Sequence, residues 1–168
     1  LFRKVLIDRM APYGEKLAVV ASALLFGLFH GNFSQFFYAF GLGLVFGYVY
    51  LKTGRLRYSI GLHMGINFLG SVFSAWLLEN MGTFSPSGEL LNVNVPVLAI
   101  FICYLALLLV SFFVGLILLC RNRRNIRFGI APMELPKGTK FKTAYLNIGM
   151  LLFILSCAAM FVLSLIPV

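Results

Sequence analysis

Long stretches of this chain carry no charge at all: residues 17–51, 58–78, 90–120 and 143–168. A membrane-spanning helix needs about 20 mainly apolar residues. Each of the last three stretches is long enough for one span. The first is long enough for two short ones, with a tight turn near Gly31-Asn32-Phe33-Ser34. The pattern predicts five membrane helices, near 14–32, 35–53, 57–78, 95–120 and 144–166. The opening LFRKVLIDRM reads as the tail of a preceding helix, ended by Pro12 and Gly14. Lys52-Thr53-Gly54 reads as a helix end, with Gly54 suited to the left-handed cap position. The expected fold is all-α: a polytopic transmembrane helix bundle forming a single membrane-embedded domain over residues 1–168.

Composition supports the membrane reading. Hydrophobic residues make up 61% of the chain, charged residues 11%, and mean hydropathy is +0.96. A soluble domain carries about 25% charged residues. The net charge of +9 then needs no nucleic-acid partner. All 14 lysines and arginines fall in three clusters: Arg3 to Lys16, Lys52 to Arg57, and Arg121 to Lys142. The turn near residue 32, the connection from Glu79 to Pro96 and the C-terminus have none. Five helices starting inside put every basic cluster on the cytoplasmic face, as the positive-inside rule expects. Membrane lipids are therefore expected partners, with the basic loops near anionic headgroups. The basic connection from Arg121 to Lys142 reads as a solvated loop. Cys103, Cys120 and Cys157 show no metal-type spacing and read as packing residues. The chain begins Leu1-Phe2-Arg3, without an initiating methionine, and reads as part of a longer protein.

Two histidines interrupt the apolar runs, and each has a partner four residues away: Phe26 with His30, and His63 with Asn67. On a helix such pairs share a face. Polar groups at membrane depth are costly and mark candidate sites. Imidazole can act as a general base or bind a metal. A carboxamide can donate a hydrogen bond to a developing oxyanion. The plain alternative is structural, each polar group bonding a neighbouring helix. The five carboxylates, Asp8, Glu15, Glu79, Glu89 and Glu134, fall near interfaces or in loops, so the catalytic set is incomplete on these residues alone. The Gly43-xxx-Gly47 and Gly61-xxx-Gly65 spacings predict close helix packing.

The order Phe26-xxx-His30, a glycine-rich helix and His63-xxx-Asn67 resembles the CPBP family. These are intramembrane proteases of the CAAX prenyl endopeptidase type, with bacteriocin-immunity (Abi) relatives. The resemblance covers roughly residues 1–75. It divides the chain into a motif core, 1–78, and two further transmembrane helices with a basic loop, 79–168. The family's first motif, Glu-Glu-xxx-Arg, would be present only through Arg3, with its glutamates five and four residues upstream of it. The resemblance implies hydrolysis of a peptide bond in a membrane-associated peptide or protein. A glutamate and a histidine would activate water, and the other histidine with Asn67 would stabilise the oxyanion. It leaves the cofactor open between zinc, held by His30 and His63, and none. It also implies an integral protein of a bacterial plasma membrane. Competing readings are a non-catalytic immunity or scaffold protein of the same fold, a membrane protein binding haem through His30 and His63, and a transporter, for which there is no inverted repeat. Substrate and oligomeric state stay open.

Overall fold

The computed structural model describes residues 2–166. It is helical almost throughout and forms two compact units: Leu1–Leu62 with Phe128–Val168, and His63–Arg127. In the first unit a π-helical segment, Phe2–Ile7, runs into α1, Asp8–Met10, and a 3₁₀ turn, Ala11–Tyr13. This is the helix tail expected from the opening residues. Helix α2 is Glu15–Leu28 and α3 is Phe33–Thr53. Helix α4 is Leu56–Asn67, whose last five residues belong to the second unit. Its backbone runs on through a π-helical segment, Phe68–Phe73, into α5, Ser74–Asn80. Helix α6 is Val95–Asn122, α7 is Lys140–Tyr145 and α8 is Ile148–Leu163.

Three helical stretches are long and apolar enough to cross a membrane: Phe33–Thr53, Leu56–Asn80 and Val95–Asn125. The other two expected spans are shorter than the charge pattern implied. Helix α2 has 14 residues, about 21 Å at 1.5 Å per residue. It stops because Gly31 turns left-handed, at φ 71°, and the Asn32 side chain then caps α3 by accepting from Gln35 N at 2.9 Å. Helix α8 has 16 residues because Asn147 caps it in the same way, accepting from Met150 N at 3.0 Å. Charge-free length registers hydrophobicity but not the Asn caps inside it, each of which satisfies an orphan helix N–H. Gly54 ends α3 in the left-handed conformation, at φ 63°, with its N–H on Tyr50 O at 2.8 Å.

Small residues let α2 and α3 pack backbone to backbone. Ala18, Ala21 and Ala23 of α2 have no exposed surface. A Cβ added at Gly43 would lie 2.9 Å from Ala23 Cα, and one at Gly47 would lie 3.2 Å from Val19 Cγ1. Beside this seam Ile7, Ala18 and Tyr50 form a buried cluster, and the Tyr50 hydroxyl donates to Asp8 Oδ1 at 2.8 Å.

The basic connection is not simply solvated. Met133 N and Leu135 N donate to Pro12 O and Tyr13 O at 2.9 and 3.1 Å, and Gly129 N donates to Glu15 Oε2 at 2.6 Å. Ala131 is buried. A Lys52–Glu15 pair at 2.9 Å and a Lys140–Glu134 pair at 2.6 Å complete the anchoring. The hydrogen bond from Lys140 holds the Glu134 carboxyl below its ordinary range. Backbone pairing of this kind follows no hydrophobic period, so the sequence reads only as a loop.

In the second unit Leu77 and Met81 pack against Val97 and Tyr104 of α6, with Phe73 beside them. The Tyr104 hydroxyl donates to Leu69 O at 2.9 Å. Two short strands, β1 Thr83–Phe84 and β2 Leu90–Leu91, pair antiparallel in the connection between α5 and α6. Most of α6 is exposed and apolar, as a helix facing lipid is.

Candidate functional site

Arg3 is the organising residue of the first unit's site. It sits in the π-helical segment and is only 7% exposed. Its Nη1 donates to Ser22 Oγ at 2.8 Å, and Ser22 Oγ donates to Phe2 O at 2.6 Å. The guanidinium carbon lies 4.6 Å from the Phe26 ring centroid and 5.6 Å from that of Phe46. A cation held this way between aromatic faces is partly compensated for lost water. Its Nη2 is buried and has no hydrogen-bond partner among the described residues. Buried donors are seldom left unmade, because the desolvation cost is then uncompensated.

Phe26 carries the arrangement on to His30. Its ring stands edge-on to the His30 ring, with centroids 4.9 Å apart. The Phe26 carbonyl lies 2.7 Å from His30 Nδ1. A carbonyl only accepts, so Nδ1 carries the proton and donates. In the neutral ring this leaves the Nε2 lone pair for a proton or a metal. His30 lies beyond the end of α2, its own N–H reaching Gly27 O at 3.2 Å. Asn32 Nδ2 donates to the His30 carbonyl at 3.1 Å. One asparagine therefore starts α3 and fixes the histidine's backbone.

His63 and Asn67 lie on α4 one turn apart, sharing a face by helical spacing. His63 is half-buried and Asn67 is exposed. The π-helical segment begins at the next residue, Phe68. π-turns inside helices are frequent at functional positions, and Arg3 also lies in one. Among the described residues, a Cβ added at Gly61 or Gly65 would meet no atom within 4 Å. The tight approaches belong to Gly43 and Gly47. Among the described residues no group of three His, Cys, Asp or Glu side chains is placed to hold a metal.

Arg3, Phe26 and His30 are thus brought together in one network, while His63 and Asn67 share a helix face. Sequence reasoning missed Ser22 and Phe46. Ser22 had a signal: it is the one hydroxyl in the apolar run of α2 and lies four residues before Phe26. Phe46 had none, since nothing separates it from the other phenylalanines of α3.

Helices of this length and hydropathy define an integral membrane protein. Residues 1–69 match the family model described as type II CAAX prenyl endopeptidase Rce1-like, the family that the motifs resemble. No curated protein and no solved structure matches the chain significantly.

Proposed function

We propose that this protein is an intramembrane endopeptidase that hydrolyses a peptide bond of a membrane-associated protein or peptide. The observation that carries the reading is the Nδ1 donation from His30 to the Phe26 carbonyl at 2.7 Å. It orients the imidazole and directs a basic Nε2 away from the backbone. A base held in one tautomer can take a proton from water as the water attacks a carbonyl. The resemblance assigns His63 and the Asn67 amide to the oxyanion that forms, as hydrogen-bond donors. The family motif supplies the partner carboxylates, the glutamates expected five and four residues before Arg3. The unpartnered Nη2 of Arg3 suits such an anion. The basic clusters face the cytoplasm.

The test uses the full-length protein in liposomes, with a fluorogenic C-terminal peptide offered both prenylated and unmodified. The expected result is cleavage of the membrane-bound peptide, lost when either motif glutamate is changed to alanine. A correctly inserted protein that cleaves neither peptide overturns the protease reading in favour of a non-catalytic member of the fold. Unchanged cleavage by both glutamate variants removes the Glu/His mechanism.

A further inference from the structure

Helix α8 lies outside the residues matched by the family model and has no part in the proposed chemistry. It meets the α2–α3 turn closely at one place. The Phe161 ring packs edge-on to Phe33 with centroids 4.8 Å apart, and a Cβ on Gly31 would lie 2.8 Å from Met160 Cε. Toward its N-terminus α8 borders a cavity of about 650 Å³. That volume lies within the ordinary range of ligand sites. The cavity lies wholly within the first unit.

The cavity is polarised. Leu6, Leu25, Met150 and Phe153 give it apolar walls, and Arg9 and Thr143 line it too, near the basic connection. Arg9 is exposed and carries no ion pair among the described residues. The three described carboxylates of this unit are already engaged: Asp8 by Lys4, Glu15 by Lys52 and Glu134 by Lys140. An apolar cavity with one unpaired cation fits an amphiphile with an apolar tail and a permanent negative charge. In a membrane protein the abundant molecule of that chemistry is an anionic phospholipid.

We infer that the cavity between α8 and the α1–α2 region holds one anionic glycerophospholipid, an acyl chain along Leu6, Leu25 and Phe153 and its phosphate on Arg9. The cavity shares Phe2 with the Arg3–Ser22–Phe26 network but is lined by neither histidine, and the inference stands without the proposed chemistry. Gly149 offers a way to close it. Gly149 lines the cavity, and a Cβ there would meet only Asn147 Oδ1, at 3.6 Å, so a larger side chain can enter the cavity without displacing backbone.

The experiment is native mass spectrometry of the purified full-length protein, titrated with phosphatidylglycerol or phosphatidylcholine. The wild type is expected to retain one phosphatidylglycerol, favoured about five-fold over phosphatidylcholine, the effect of one cation near an anionic headgroup. Arg9→Gln is expected to abolish the preference but keep some binding. Gly149→Phe is expected to abolish retention of both lipids, with Gly149→Leu as a second variant should the first melt early. Retention no higher than that of the detergent overturns the inference. So does an undiminished preference in Arg9→Gln. Displacement of the phospholipid by a prenylated peptide would also overturn it, assigning the cavity to a substrate's isoprenoid chain.

Discussion

The two motif pairs sit in different settings. Phe26, on which His30 rests, packs against Arg3 of the π-helical segment and Phe46 of α3, and Arg3 is in turn bonded to Ser22 of α2. The His30 backbone is fixed by Gly31 and Asn32. His63 and Asn67 lie one turn apart within α4, His63 half-buried and Asn67 exposed. Both pairs have the same four-residue spacing in the sequence. The difference shows that equal spacing can place a motif across a helix end, with Phe26 buried, and within a continuing helix, with Asn67 exposed.

That contrast can be broken by substitution. The largest effect is expected at the preoriented position. His30→Ala should lower peptide cleavage by the full-length protein about 1,000-fold, the middle of the range for a positioned base. Protein yield and melting should stay near wild type, since His30 is only half-buried. A loss under ten-fold, measured by initial rates in liposomes, would remove His30 from the chemistry.

The next effect concerns packing. Gly43→Val brings a branched side chain against the Ala23 backbone, where even a Cβ would sit 2.9 Å away. It should destabilise the α2–α3 pair by about 1–3 kcal/mol, the usual cost of overpacking. Gly65→Ala is the control, since its Cβ meets nothing within 4 Å. It should be neutral or stabilise by up to about 1 kcal/mol, the helix preference of alanine over glycine. Thermal unfolding in detergent distinguishes the two, and equal destabilisation would contradict the packing account.

Asn67→Ala should have the smallest catalytic effect, about 100-fold, the lower end for loss of one oxyanion donor. Asn67→Asp should do more damage than alanine at neutral pH, because a carboxylate repels an oxyanion instead of donating to it. Equal turnover by the two variants would show that the amide does not face developing charge.

Much of this was legible from residue order. The charge-free stretches located the helices, and Gly54 marked the end of α3. The two four-residue spacings named Phe26, His30, His63 and Asn67. What stayed hidden depends on contacts between distant residues. The burial of Arg3 against Phe26 and Phe46 follows from tertiary packing, and a lone arginine beside an apolar helix reads equally well as an interfacial charge. The docking of residues 129–135 on Pro12, Tyr13 and Glu15 is made by backbone donors, which leave no side-chain pattern. The early end of α2 lay in Asn32, whose role as a cap shows only once the turn at Gly31 is in place.

The proposed function gives both histidines a part in one hydrolysis, and a double-mutant cycle tests that proposal most directly. His63→Ala alone should cost at least about 100-fold in turnover, as expected for removal of a proton-transfer or oxyanion group. Groups that act on a single transition state are strongly non-additive when removed together. The account predicts that the His30→Ala, His63→Ala double variant cleaves the membrane peptide no more slowly than His30→Ala by itself. A double variant whose loss equals the product of the two single losses would contradict it.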